Sequence, residues 1–95
     1  MMTKVETVLS QYNNYKGYKL QIPIEARCLF PTKQQEFTIK TCIGDLQDVY
    51  VSEPPSHRRP HIHIPKEWVQ ASKLSHKDAV VIEVTEFRGV KQYRI

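Results

Sequence analysis

The sequence predicts a mainly β protein: a small closed β-barrel of two interlocked ββαβ-like repeats with one short helix each. Three observations predict this fold. Apolar residues alternate with polar ones in several short stretches, which is typical of half-buried strands. The pattern of strand, proline and short helix occurs twice, in residues 20–25 (LQIPIE) and, 42 residues later, in residues 62–67 (IHIPKE). Finally, one copy of about 45 residues cannot bury both faces of its strands, so we expect two copies to share a core and remove free strand edges.

The first repeat is expected to span about residues 4–45. Residues 13–17 favour a turn because Asn and Gly tolerate positive φ. Pro31 ends the next helical stretch because proline lacks the N–H that a continuing helix needs. In chain order we expect a strand at 4–12, the turn at 13–17, a strand at 18–22, a short helix or turn at 23–30 and a strand at 36–43.

The second repeat is expected to span about residues 46–95. Pro65 suits the first turn of a helix, where its missing N–H has no partner to lose, and Glu67 suits the positive end of the helix dipole. This helix is too short to be stable alone, so it must dock on the strands. In chain order we expect a strand at 46–51, a proline-rich loop at 52–60, a strand at 61–64, the helix at 66–74, a turn at 75–78, a strand at 79–84, a hairpin turn at 87–90 and a strand at 91–95.

Two motifs of the second repeat resemble a known family. Residues 62–67 (IHIPKE), a short helix and residues 78–84 (DAVVIEV) are similar to the AbrB/SpoVT/MazE class of swapped-hairpin β-barrels. Lys77 stands where that family has a glycine. The resemblance implies a protein that binds double-stranded DNA, a transcription regulator or chromatin-associated factor. The related double-psi barrel is the alternative fold, and it would imply RNA or ligand binding.

Basic residues lie at the positions that the resemblance assigns to DNA contacts, which are the first hairpin loop and the strand beside it. Arginine presents a planar fork that matches phosphate and the edge of guanine. We expect the two repeats to present similar basic loops on one face. The predicted nucleic-acid-binding residues are Lys16, Lys19, Arg58, Arg59, Lys66 and Arg94. The alternative is a solvated surface loop whose charges contribute only solubility.

Size and composition indicate a single basic domain, residues 1–95. The formal net charge is +4 and the pI is ≈ 9.2, which suits a nucleic-acid partner without requiring one. No apolar run approaches the roughly 18 residues of a membrane span, and no signal-peptide pattern is visible, so we expect a cytoplasmic protein with no membrane partner. Cys28 and Cys42 are expected to be buried thiols, although a disulfide would suit a hyperthermophile.

His61 and His63 are the candidate metal ligands because alternate residues of a strand point to the same side. No Cys or carboxylate at ligand spacing accompanies them, so we predict no metal and no cofactor. The chain has no Gly-rich phosphate loop, no nucleophile elbow and no HExxH motif, and we therefore predict that it is not an enzyme. The alternative to DNA binding is an antitoxin-like interaction module with a small protein partner. The pattern is also compatible with a homodimer.

Overall fold

The computed structural model describes residues 1–11, 17–31, 35–53 and 59–95. It confirms the predicted fold class: the protein is mainly β, and its eight strands form a nearly closed barrel. A 3₁₀ helix spans Ile24–Leu29 and the helix α1 spans Lys66–Ser72. The strands are β1 (Met2–Gln11), β2 (Tyr18–Gln21), β3 (Phe37–Lys40), β4 (Leu46–Val49), β5 (Val51–Ser52), β6 (His61–Ile64), β7 (Ala79–Phe87) and β8 (Val90–Arg94).

The strands follow the order β4-β3-β8-β7-β1-β2-β6-β5 around the barrel. Only Tyr50 separates β4 from β5, and the two strands pair with β3 and β6 respectively. This one segment therefore joins both ends of the strand order. Strand β1 has a similar double role, since Met2–Val8 pairs with β7 and Leu9–Gln11 pairs with β2.

The register of the strands follows the same offset of 42 residues as the sequence pattern. Leu9 pairs with Leu20 in the first half, and Val51 pairs with Ile62 in the second. Strands β2 and β6 pair antiparallel with Leu20 opposite Ile62, so an approximate two-fold axis passes between these two residues. Strand β8 has no counterpart in the first half and lies between β3 and β7. A common origin of the halves by duplication stays a prediction.

Inward-facing aliphatic side chains from both halves fill one core. The 3₁₀ helix contributes Ala26, and Phe30, at the end of the helix, stacks on Tyr93 with 5.3 Å between ring centroids. The Tyr93 hydroxyl donates a hydrogen bond of 2.7 Å to the Leu29 carbonyl. Burial, with a smaller contribution from the Glu86 carboxylate, raises the pKa of Tyr93 above its usual value. The fully buried residues are Leu9, Leu20, Ile22, Ile39, Val51, Ile62, Ile64, Val69 and Ile82.

The exposure of the two cysteines differs from the prediction, and the backbone at Lys77 adds a detail to it. Cys28 and Cys42 are free thiols, but both are exposed rather than buried, because the 3₁₀ helix and the β3–β4 turn hold them at the surface. Lys77, which replaces the glycine of the resembling family, adopts a φ of 76°. In the part of the chain that the structure describes, no helix has the length and apolar character needed to span a bilayer.

Candidate nucleic-acid interface

The outward side chains of β2 and β6 form a continuous polar surface on one wall of the barrel. Because Leu20 and Ile62 point into the core, their neighbours along each strand point outwards. The register arranges these neighbours in two rows across the wall, Ser10–Lys19–His63 and Ser52–His61–Gln21. We call these six side chains the β2–β6 face.

The β2–β6 face carries no acidic residue. Strands β2, β5 and β6 and the paired end of β1 contain neither Asp nor Glu, whereas the remaining strand segments contain Glu6, Asp48, Glu83 and Glu86. Glu53, which follows β5, forms an ion pair with Arg27 of the 3₁₀ helix. The six side chains of the β2–β6 face therefore contribute positive charge and polar groups but no negative charge.

His63 lies against the start of β2. A Cβ atom at Gly17 would come within 2.6 Å of His63 Cε1, and Gly17 has a φ of 154°. Only glycine therefore allows this approach of the imidazole ring to the backbone. The contact fixes His63 at the end of the β2–β6 face where the first hairpin loop leaves the barrel.

Arg59 lies at the other end of β6 and is exposed. Its carbonyl is 3.3 Å from His61 Nδ1, and the next residue, Pro60, accepts a backbone hydrogen bond of 2.8 Å from Ile22. These contacts hold Arg59 beside the strand pair. Four residues of extended chain separate it from His63, which corresponds to about 13 Å.

The predicted loop tips lie outside the described residues, which exclude Lys16 and Arg58. The chain ends that flank the two loops are described, and they lie at opposite ends of the β2–β6 pair, because Tyr18 is opposite Ile64 while Gln21 is opposite His61. The surface between the two exits is the β2–β6 face. This face, rather than a single cluster of tips, is the part of the predicted site that the structure describes.

Two further predicted residues lie apart from the face. Lys66 is exposed at the first position of α1, directly after β6 and Pro65. Arg94 is exposed on β8, where Lys40 and Glu83 are its strand partners. In the strand order, β8 is three strands away from β2. Arg94 therefore lies on the opposite wall of the barrel and cannot share a ligand surface with Lys19.

The two candidate metal ligands project from the same side of β6 but fall in different rows of the face. Within the described residues, no group of three or more His, Cys, Asp and Glu side chains converges as an ion would require. Both imidazoles have polar or aromatic contacts in the structure. They contribute to the face as polar, ionisable side chains.

Sequence reasoning alone missed Ser10, Gln21 and Ser52. Nothing in their local sequence marks them, because they join the site only through cross-strand register. The 42-residue offset was the available signal, since it makes Ser10 equivalent to Ser52 and Lys19 equivalent to His61. Comparison with models of known protein families and with curated proteins finds no match to this chain. Membership in the AbrB-like family therefore stays a prediction.

Proposed function

We propose that the protein binds double-stranded DNA through the β2–β6 face, with a role in transcription regulation or chromatin organisation. The observation that carries the proposal is the absence of acidic residues from the β2–β6 face, which presents Lys19 in one of its two histidine-bearing rows and the exposed Arg59 at its end. Sequence-independent affinity for DNA comes mainly from basic side chains that neutralise phosphates. Asp48 borders the face beside His63, but none of the six side chains of the face is acidic, so the face itself provides that contact without repulsion.

The dimensions of the face support a duplex as the ligand. About 13 Å of extended chain separates Arg59 from His63, which is comparable with the ~12 Å width of the major groove of B-DNA. Arg59 at one end, and Lys19 in the row of His63 at the other, can thus contact phosphates on both sides of one groove. The serine, glutamine and histidine side chains between them are donors and acceptors suited to base edges.

Single-stranded RNA is the less favoured ligand because its recognition relies on bases stacked on aromatic side chains. None of the six side chains of the β2–β6 face is Phe, Tyr or Trp. Its two histidines, which can also stack on bases, lie in different rows. Tyr50, 45% exposed, borders the face beside His63. The face therefore has no large aromatic ring of its own on which to stack the two or three bases that typical single-strand binders hold.

The test measures the affinity for a 20-base-pair duplex by fluorescence anisotropy as the salt concentration increases. Each lost phosphate contact reduces the slope of log K against log salt by about 0.9. The variant Lys19→Ala/Arg59→Ala should therefore reduce the slope by up to about 1.8. The matched control is Lys40→Ala/Arg94→Ala, which removes the same charge from the opposite wall and should leave the slope nearly unchanged.

Two results would refute the proposal. One is a binding constant that does not depend on salt. The other is an equal loss of affinity in the two double variants, which would show that net charge rather than the β2–β6 face determines binding. A single-stranded RNA of the same length, measured alongside, should bind more weakly than the duplex; tighter binding of the RNA would favour the double-psi alternative.

A further inference from the structure

One stretch of strand edge has no partner among the described residues. Strand β1 pairs with β7 from Met2 to Val8, but β2 covers its other edge only from Leu9 to Gln11. The chain leaves β2 at Gln21, where the Thr7 hydroxyl donates a hydrogen bond to the Gln21 carbonyl. The edge of β1 from Thr3 to Glu6 is thus open to one side.

The backbone hydrogen bonds of β1 show which residues direct their N–H and C=O groups towards β7 and which direct them towards the open edge. Both backbone polar groups of Leu9 bond to the β7 side, through the Asp78 carbonyl at 2.9 Å and the Lys77 amide at 2.7 Å, and the Met1 carbonyl likewise accepts from Glu86. Odd-numbered residues of β1 therefore face β7. The N–H and C=O groups of Lys4 and Glu6 face the open edge because successive residues of a strand alternate in direction.

A groove of ≈ 410 Å³ runs along the open edge. Residues Thr3–Glu6 form one bank, and Pro23, Glu25, Ala26 and Leu29 form the other. Main-chain groups on one bank and an opposite bank that is apolar apart from Glu25 are an arrangement that can accept an added strand, since backbone hydrogen bonds supply affinity and side-chain pockets supply selectivity. The groove therefore has the form of a peptide site.

The groove at the equivalent position in the second half has a smaller volume. It is lined by Asp48, His63 and Pro65 among others, with a volume of ≈ 170 Å³. Asp48 there has a φ of 58°, and the β3–β4 register shifts between Phe37 and Ile39, as in a β-bulge. The first half has kept a regular, open strand edge where the second half has not.

The charged side chains along the open edge indicate which peptide sequence would bind there. On the outer face of the barrel, Lys4 lies opposite Glu83 of β7, whereas Glu6 lies opposite Val81, which is uncharged. Glu25 on the other bank is also acidic and exposed. A strand added beside β1 would therefore be favoured by a basic residue opposite Glu6 and by apolar residues on either side of it, which would point towards Val5 and Ala26.

We propose that the Thr3–Glu6 edge and its groove bind an extended peptide segment of a partner protein, in which a Lys or Arg is flanked by apolar residues. This function is separate from DNA binding. Charged residues on an edge strand can also serve only to prevent aggregation, but that role requires neither the groove nor the unmatched charge of Glu6.

The probe is the symmetric peptide Ser-Thr-Val-Lys-Val-Thr-Ser, capped at both ends, because it presents the same pattern in parallel and antiparallel orientation. A matched peptide carries Glu in place of Lys. Amide hydrogen exchange, followed by NMR on the full chain, should show Lys4 and Glu6 exchanging fast and Val5 and Thr7 slowly before peptide is added. Addition of the Lys peptide should then protect the Lys4 and Glu6 amides.

The Lys peptide should bind about two- to fivefold more tightly than the Glu peptide, the range expected for one cross-strand charge pair. The variant Glu6→Lys should reverse this preference, and Glu36→Lys, with the same charge change at an exposed position outside the groove, should not. Failure of the peptide to protect the two amides, or an unchanged preference in Glu6→Lys, would overturn the proposal. So would concentration-dependent protection without peptide, which would identify a second copy of the chain as the occupant.

Discussion

The contact between Gly17 and His63 gives a prediction that separates two causes of instability. In Gly17→Ala the new Cβ would lie 2.6 Å from His63 Cε1, and the backbone would keep a φ of 154°. A non-glycine residue at positive φ costs about 1–2 kcal/mol, and a displaced side chain about 1 kcal/mol more. Reduced freedom of the unfolded chain offsets about 0.4–1 kcal/mol, so we expect a net loss of about 2 kcal/mol.

Urea denaturation of five variants measures the two contributions separately. Gly44→Ala and Gly89→Ala report the cost of positive φ alone, because both glycines have positive φ and nothing lies within 4 Å of the added Cβ. The variant Gly17→Ala should lose about 1 kcal/mol more than either. In Gly17→Ala/His63→Ala the steric part should disappear, leaving a loss relative to His63→Ala similar to that of Gly44→Ala.

We also expect a functional effect, since a displaced His63 changes one row of the β2–β6 face. Gly17→Ala should weaken DNA binding, whereas Gly89→Ala should not. If Gly17→Ala is no less stable than Gly44→Ala, and removal of the His63 ring brings no relief, the close approach of the ring to the Gly17 backbone is not a feature of the protein in solution.

Further predictions concern stability. Tyr93→Phe should lose about 0.5–1.5 kcal/mol at pH 8 through the lost hydrogen bond to Leu29. Because the pKa of Tyr93 is raised in the folded state, the fold favours the protonated phenol, and the parent protein should lose stability as the pH rises above 10. Urea midpoints measured at pH 8 and pH 11 check this. The decrease in midpoint between the two pH values should be smaller in Tyr93→Phe than in the parent protein. Lys77→Gly relieves a φ of 76° and should raise the melting temperature by up to about 6 °C, since 1 kcal/mol corresponds to about 4–8 °C in a domain of this size. Lys66→Gly, a control within α1, should instead lower the melting temperature because glycine disfavours the helix.

Most strands were predictable from their own residues. Alternation places Leu20 and Ile22 on one side of β2, and both are buried. The repeated pattern of residues 20–25 and 62–67 predicts that two such units share a core, but not which strands pair. The structure pairs β2 with β6, and the register centres on the equivalent residues Leu20 and Ile62. These features are local, or depend on one offset that is visible in the sequence.

The site was only partly predictable. Lys19 and Arg59 were expected on one surface and lie at the β2–β6 face or its end. Arg94 has the same chemistry and the same alternation in its strand, yet it lies on the opposite wall because β8 inserts between β3 and β7. No local pattern indicates which neighbours a strand will take, and so a basic residue cannot be assigned to a wall from sequence alone.

Residue order alone is enough to predict which side of each strand faces the core, because the side-chain period of two depends only on the backbone of that strand. It also determined the two-part organisation, through the recurrence of strand, proline and helix. The folded arrangement of the strands was needed to establish which outward side chains become neighbours, which face carries no acidic side chain and which edge of β1 stays open among the described residues. Those properties depend on pairing between residues far apart in the chain, such as Val5 with Ile82, and this pairing is selected by how the whole set of strands buries one core.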